Sequence, residues 1–311
     1  MGYCDIIPTI VNTPYFIMGY NMKEETIMAI QIIPIDCGRN TVKLLNNQSF
    51  RSVVGDWHHR EMSDNEEYEV IINGKEKYFV GQLALDESVA AIEMNVPSKI
   101  HNQTKVLFLT GVALSVIEQD SDLVICTGVP VDQFNSTTKV ALEKLLYGEY
   151  DIKVNDIHIK KLRINSVTII PEGVASFQYA LSKDESLAIG KKRILDIGSL
   201  TVNYSSFNQL KFVTRDSGTI NFGTIKLKGN QIDNEMYVSK IISELSQRFA
   251  DYDVSDKILL TGGGALQFGD LFKKHYPNCS IVPDPIFANT LGFHWMGAKK
   301  WAKASVNSQA E

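Results

Sequence analysis

The sequence IDCGRNTVK at residues 35–43 returns in altered form as LDIGSLTVN at residues 195–203. Aspartate, glycine, threonine and valine keep the same register in both copies, so that Asp36 corresponds to Asp196. Each copy follows a short aliphatic run and precedes a second strand-like run, which predicts a strand, a tight glycine turn and another strand. We infer that the chain contains two similar halves that face one ligand.

The chemistry of the two turns suits a phosphate ligand. Because glycine has no Cβ atom, Gly38 and Gly198 allow backbone N–H groups to approach and surround phosphate oxygens. A carboxylate at the strand end, Asp36 or Asp196, can hold Mg²⁺ through water. A single hairpin of this kind is more often an ordinary β-turn, but two copies in matched register favour a nucleotide site.

Composition limits the classes of partner. The formal net charge of -5 and short basic pairs such as Lys160-Lys161 give no basic face that could hold nucleic acid directly. The four cysteines form no CxxC pair, so neither a zinc site nor a disulfide framework is indicated, as expected in a reducing cytoplasm. The sequence shows no apolar run long enough to cross a bilayer, and we expect a cytoplasmic protein without a membrane partner.

The segment before Met28 lacks the periodicity of a helix or a strand and carries Pro8 and Pro14. Lys23-Glu24-Glu25 can be encoded by a purine-rich sequence at the distance of a ribosome-binding site from the Met28 codon. We therefore expect residues 1–27 to be a non-native or disordered leader that is dispensable for folding. The alternative is a genuine but loose N-terminal extension.

The remaining sequence alternates strand and helix signals. Asn73-Gly74 predicts a two-residue hairpin turn between strands at Tyr68–Ile72 and Tyr78–Val80. Further strands are predicted at Leu123–Thr127, Ile164–Ile170 and Lys257–Thr261, and helices at Lys105–Ile117, Thr138–Leu146, Leu266–His275 and Thr290–Ala302. This alternation predicts an α/β fold.

Five motifs follow one another along the chain after Met28. They are Asp36-Cys37-Gly38 with Lys43, Thr127-Gly128-Val129-Pro130, Pro171-Glu172-Gly173-Val174-Ala175, Asp196-Ile197-Gly198 with Thr201, and Thr261-Gly262-Gly263-Gly264-Ala265 followed by Ala288-Asn289-Thr290-Leu291-Gly292-Phe293. Their order resembles the actin, sugar-kinase and heat-shock ATPase superfamily, and within it the ParM and AlfA group of plasmid-segregation actins. The resemblance implies an actin-like fold with two related α/β domains around a nucleotide cleft.

The domain boundaries follow from the same resemblance. Domain I is expected at residues 28–190, with a small subdomain at about 50–100, and domain II at residues 191–287. A C-terminal helix and tail at residues 288–311 are expected to pack back on domain I. The fourth subdomain is expected to be strongly reduced, because the stretch from Gly218 to Val254 offers one amphipathic helix. Its apolar stripe consists of Val238, Ile241, Ile242, Leu245 and Phe249.

Site roles are carried over by position. The resemblance implies that Asp36 and Asp196 hold hydrated Mg²⁺, that the backbone around Gly38 and Gly198 encloses the phosphates, and that Lys43 neutralises phosphate charge. Further nucleotide contacts are expected from Asn40, Ser199, Thr201, Gly262, Gly263 and Gly264, the three glycines lying against ribose and adenine. Lys43 could instead be an ordinary surface residue of its strand.

Glu172 and Asn203 are the predicted catalytic residues. Glu172 occupies the place from which family members orient or activate the attacking water, although a solvated loop glutamate is the alternative. Asn203 departs from the family, where an aspartate is more common, and Ser199 replaces a common glycine. Since an amide cannot accept a proton as a carboxylate can, these departures affect the expected hydrolysis rate more than nucleotide binding.

The function implied by the resemblance is a filament that segregates plasmid DNA. Subunits carrying ATP (or GTP) and Mg²⁺ would polymerise, and a small DNA-binding adaptor of ParR type would couple the filament to a centromere-like site. Hydrolysis would then destabilise the polymer. The main alternative is a small metabolic kinase of the type III pantothenate kinase kind, and a nucleotide-dependent chaperone is a third class without a recognisable peptide-binding domain here.

Overall fold

The structure is a computed structural model that describes residues 16–20, 27–61, 68–96, 98–117, 122–227 and 233–307. The described strands form two sheets, one of eleven strands and one of six. The larger sheet takes its strands from residues 16–171 and the smaller one from residues 191–281, so each copy of the sequence repeat lies in its own sheet.

The larger sheet positions the first repeat. Its strands are β1 Phe16–Tyr20, β2 Ile27–Cys37, β3 Thr41–Leu44, β4 Ser49–Arg51, β5 Val53–Asp56, β6 Tyr68–Ile72, β7 Glu76–Val80, β8 Ile92–Glu93, β9 Asp122–Val129, β10 Gly148–Val154 and β11 Ile157–Pro171. The order is β4-β3-β2-β9-β11-β10-β6-β7-β5-β8, and β1 pairs with β2. Because β2, β9 and β11 run parallel, their carboxyl ends meet at one edge, where ligands of α/β sheets usually bind.

The smaller sheet positions the second repeat. Its strands are β12 Lys191–Ile197, β13 Val202–Asn208, β14 Lys211–Phe212, β15 Gly218–Ile220, β16 Lys257–Thr261 and β17 Cys279–Ile281. The order is β14-β13-β12-β16-β17, and β15 pairs with β13. Parallel pairing of β12 with β16 sets Asp196 opposite Thr261, directly before the triple glycine.

Seven α-helices surround the sheets in the described part of the chain. They are α1 Gln82–Glu87, α2 Asn102–Ala113, α3 Ser136–Leu146, α4 Val174–Lys183, α5 Asn234–Arg248, α6 Gly263–His275 and α7 Ala288–Asn307. None of these described helices has both the length and the apolar character that a membrane span requires.

Helices α4 and α7 pack on each other between the two sheets. Phe177 of α4 belongs to an apolar cluster of the smaller sheet and stacks on Phe207 of β13, with 4.0 Å between ring centroids. Phe293 of α7 is buried in a cluster of the larger sheet that includes Cys126 and Ile170. The two helices therefore connect the halves through their apolar faces.

The predicted hairpin at Asn73-Gly74 is confirmed. Both residues have positive φ angles, 52° and 67°, as the central positions of a primed turn require, although the loop between the strands has three residues, Asn73 to Lys75, rather than two. The other predicted elements are present with shifted ends. Strand β11 starts at Ile157 rather than Ile164, because a turn at Asn155 returns the chain along β10.

The prediction that residues 1–27 lie outside the fold is wrong for Phe16–Tyr20, which pair antiparallel with residues 27–31 of β2. The physical reason is a vacant length of strand edge. Strand β3 pairs only with Ile35–Cys37, so the first half of β2 would otherwise expose backbone donors and acceptors on that side. Residues 1–15 and 21–26, including Lys23-Glu24-Glu25, lie outside the described residues.

The predicted single helix between Gly218 and Val254 is confirmed as α5, the one α-helix among the described residues of that stretch. Val238, Ile241, Leu245 and Phe249 are buried and Ile242 is partly buried. The stripe packs in one cluster with the smaller sheet and α6, so it has no separate core of its own.

We expect Leu245→Ala to lower the free energy of unfolding by about 2–5 kcal/mol, because the side chain is fully buried and truncation leaves a cavity. The matched control on the same helix is Met236→Ala, whose side chain is 56% exposed and whose loss should change stability by about 0.5 kcal/mol or less. Urea denaturation followed by circular dichroism measures both. A separate early transition that carries the whole loss would instead mean that α5 belongs to an independently folding lobe.

Candidate functional site

A cavity of about 360 Å³ opens between the two sheets, within the size range of small-molecule sites. Its wall contains all the residues for which the sequence predicts a role. These are Asp36, Gly38, Asn40, Lys43, Glu172, Asp196, Gly198, Ser199, Thr201, Asn203, Gly262, Gly263 and Gly264. The fold thus brings together motifs that lie far apart in the sequence.

The two repeats form matching hairpins on opposite walls. Asp36 lies across from Lys43 in the β2–β3 pair, and Asp196 lies across from Asn203 in the β12–β13 pair. Lys43 and Asn203 are equivalent positions, because each follows the aspartate of its own hairpin at the same spacing. The repeat in sequence is therefore a repeat in structure, with a cation on one wall and an amide on the other.

Asp36 is 4% exposed, and its Oδ2 atom accepts a hydrogen bond from Lys43 Nζ at 2.8 Å. Burial raises the pKa of Asp36, but the Lys43 and Lys99 ammonium groups outweigh burial and hold the pKa below its usual value. Lys43 therefore lies in the site and is not an ordinary surface residue of its strand. In this structure its ammonium group contacts the Asp36 carboxylate.

Asp196 is in the opposite electrostatic situation. Burial, and then the neighbouring Glu172 carboxylate, raise its pKa to about 7, although Asn289 Nδ2 donates to Asp196 Oδ2 at 2.7 Å. Lysine ammonium groups contact Asp36 and Glu172, whereas Asp196 receives an amide donor, so the excess of negative charge is local to Asp196. A hard divalent cation with oxygen ligands, such as Mg²⁺, would relieve this excess. Within the described residues, no group of three or more His, Cys, Asp or Glu side chains could hold a metal.

Glu172 is 9% exposed, so the alternative of a solvated loop glutamate is wrong. Lys99 Nζ donates to Glu172 Oε1 at 2.6 Å, and Asn203 Nδ2 donates to Glu172 Oε2 at 2.9 Å. Thr219 Oγ1 in turn donates to Asn203 Oδ1 at 2.8 Å, which fixes the amide orientation. Both carboxylate oxygens therefore have assigned donors.

The triple glycine connects strand β16 to helix α6 and lies against the second hairpin. Gly262 has φ near 80°, and a Cβ atom there would lie 2.6 Å from Asp196 Oδ1. A Cβ atom on Gly264 would lie 2.2 Å from Ile197 Cγ2, so the helix start can approach the hairpin only without side chains. The N-terminus of α6 leaves backbone N–H groups unpaired within the helix and favours an anionic ligand.

Three further residues of the cavity wall make polar contacts at the site but were not assigned a role from the sequence. Lys99 lies on irregular chain between β8 and α2, where neither periodicity nor a motif marks it. Arg39 lies inside the first hairpin, and its NH1 atom donates to Ser98 O at 2.9 Å. Asn289 lies in the Ala288–Phe293 motif, which marked this part of the chain but not the contact of its amide with Asp196.

Residues 34–174 match the family model described as "Actin like proteins N terminal domain". Solved structures extend the likeness to nearly the whole chain, beginning with the apo ParM protein of pSK41 at 22% identity and a TM-score of 0.72, covering 88% of this chain and 98% of that one. The chain has an actin-like fold.

Two filament structures are also similar to this actin-like chain. A 15-stranded ParM filament from Clostridium botulinum matches at 20% identity and a TM-score of 0.72, covering 86% of this chain and 99% of that one. An AlfA filament bound to AMPPNP matches at 19% identity and a TM-score of 0.65, covering 88% and 98%. A search of curated proteins finds no match.

We expect Asp196→Asn to stabilise the ligand-free protein above pH 7. The unfolded carboxyl loses its proton near its usual pKa of 3.8, whereas the folded one keeps it until about pH 7. Wild-type stability therefore falls as pH rises through this window, by up to about 4 kcal/mol. The advantage of the variant should grow from pH 4 to pH 7, stay constant above, and be absent for the exposed control Asp270→Asn.

Thermal unfolding in EDTA across pH 4 to 9 measures this difference. Repeating the series with Mg²⁺ should reduce the advantage, since a bound cation favours the ionised wild-type carboxylate. A pH-independent difference between wild type and variant would show that the Asp196 carboxyl does not retain its proton in the fold.

Proposed function

We propose that this chain is an ATP-binding and ATP-hydrolysing actin that polymerises into filaments and segregates plasmid DNA in the cytoplasm. The observation that carries the proposal is the pair of matched hairpins with a buried glutamate held between them. The likeness to ParM and AlfA filament structures supports the same function.

Each wall of the cavity has a part in nucleotide binding. The backbone near Gly38, Asn40, Gly198, Ser199 and Thr201 surrounds the phosphates, and Asp36 and Asp196 hold Mg²⁺ through water. Lys43 would neutralise phosphate charge, and a bound Mg²⁺ would supply positive charge beside the Asp36 carboxylate. The nucleotide is ATP or GTP, with its base beside the Gly262–Gly264 turn.

Hydrolysis requires a water molecule aligned with the terminal phosphate. Glu172 is the group that orients it, because its carboxylate lies buried at the carboxyl end of β11 in the same cavity as both hairpins. Asn203 supports Glu172 by hydrogen bonding and does not act as a base itself. Hydrolysis would remove the contacts that the cavity makes with the terminal phosphate, and the polymer would become weaker.

The link to DNA is indirect in this proposal. A net charge of -5 disfavours direct binding to the phosphate backbone, so a small DNA-binding adaptor of ParR type would couple filament ends to a centromere-like site. The likeness to filament structures supports self-association, whereas the adaptor and the DNA site rest on the resemblance of the sequence motifs alone.

The first test is assembly of the purified chain. We expect light scattering and pelleting with ATP and Mg²⁺ but weak or short-lived assembly with ADP or without nucleotide. Asp36→Ala and Asp196→Ala should lose this dependence, whereas the surface variant Asp270→Ala should keep it. A chain that stays unassembled in all three nucleotide states would favour the kinase alternative.

The second test separates hydrolysis from assembly. Glu172→Ala should polymerise with ATP but release phosphate about a hundredfold more slowly, since loss of one positioned catalytic group commonly has such an effect. Phosphate release measured in parallel with light scattering records both. Normal turnover in this variant would remove the role proposed for Glu172.

A further inference from the structure

The Glu172 carboxylate receives hydrogen bonds from two parts of the chain that lie on different walls of the cavity. Asn203 belongs to β13 of the smaller sheet, whereas Lys99 belongs to the connection between β8 and α2 beside the larger sheet. Both oxygens of the Glu172 carboxylate are therefore hydrogen-bonded only while the two walls are close to each other.

Lys99 is held in this position by more than one contact. Its side chain is 2% exposed, and Nζ also donates to Gly128 O at 2.9 Å, at the end of β9. The preceding residue, Ser98, accepts a hydrogen bond from Arg39 at the tip of the first hairpin. The connection is thus attached to the phosphate hairpin on one side and to the carboxyl ends of β9 and β11 on the other.

A buried lysine requires a reason, because removing its ammonium group from water is costly unless charged and polar partners replace the lost hydration. Glu172 Oε1 and Gly128 O provide two such partners. Lysine is suited to this place because its compact charge can contact one carboxylate oxygen and leave the other to a neutral donor. Asn203 supplies that donor to Oε2.

The amide at position 203 is consistent with this arrangement. An aspartate there would place a second carboxylate beside Glu172 and repel it, whereas Asn203 donates a hydrogen bond. An ionised carboxylate has about four lone-pair directions, so two remain for a water molecule after Lys99 and Asn203 are satisfied.

We propose that Lys99 is a positioning residue for hydrolysis, which acts by fixing the Glu172 carboxylate together with Asn203. This inference rests on the proposed function, because it assigns Lys99 its effect through Glu172. Lys99 then contributes to the hydrolytic step rather than to the affinity for nucleotide.

The test is a double-mutant cycle with Lys99→Met and Glu172→Gln. Single-turnover phosphate release should fall roughly a hundredfold in Lys99→Met, whereas the Kd of a non-hydrolysable ATP analogue should change less than about threefold. In the double variant, the rate should equal that of Glu172→Gln alone. The exposed lysine variant Lys75→Met should behave as wild type.

Additive effects in the cycle, or a large loss of analogue affinity in Lys99→Met, would overturn the inference while leaving the proposed function intact. Normal hydrolysis in Glu172→Gln would instead count against the role proposed for Glu172. The two failures are therefore distinguishable.

A second measurement is independent of turnover. In EDTA without nucleotide, Lys99→Met should lower the Tm by roughly 5 °C or more, because it leaves Glu172 buried without its cation. Adding Glu172→Gln should restore most of the Tm. Equal losses in the single and double variants would contradict the pairing on which the inference depends.

Discussion

The amide side chain of Asn289 makes the hydrogen bonds on which the arrangement of the site depends. Its Nδ2 atom donates to Asp196 Oδ2, and its Oδ1 atom accepts from Gly173 N at 3.1 Å and from Ser176 Oγ at 2.7 Å. One buried residue of α7 thereby joins the second hairpin to the start of α4, next to Glu172. Because an unpaired buried polar group is costly, none of these elements can shift alone without leaving donors or acceptors unsatisfied.

The charges of the cavity follow from the same geometry. Parallel strands bring Asp36, Glu172 and Asp196 to adjoining sheet edges, where the lysine contacts reach Asp36 and Glu172 directly and Asp196 receives only an amide. The uneven distribution explains why the pKa of Asp36 lies below its usual value and that of Asp196 rises to about 7. A positive charge would therefore be stabilised most at the second hairpin, beside the Asp196 carboxylate.

Much of this arrangement was accessible from the sequence because it depends on local rules. The aspartate and glycine spacing defines a hairpin wherever it occurs, and Asn73-Gly74 defines a turn through its tolerance of positive φ. The apolar stripe of α5 likewise follows from helical periodicity. Lys99 was inaccessible because its role arises from contacts across long sequence separations, with Glu172 on β11 and Gly128 on β9. Strand β1 was missed because its pairing is determined by the vacant edge of β2, which the sequence of residues 16–20 does not reveal.

The close packing of the start of α6 against Ile197 limits how the two walls of the cavity can move. With no side chains on Gly262 and Gly264, the glycine turn and the second hairpin form one unit that cannot separate without opening a dense contact. The second hairpin and the start of α6 would therefore move together if the cavity widened, whereas the first hairpin belongs to the other sheet. Two hydrogen bonds connect the walls: Asn203 Nδ2 donates to Glu172 Oε2, and Val131 N donates to Asn203 Oδ1. These contacts must break before the two walls can separate, whichever molecule the cavity holds.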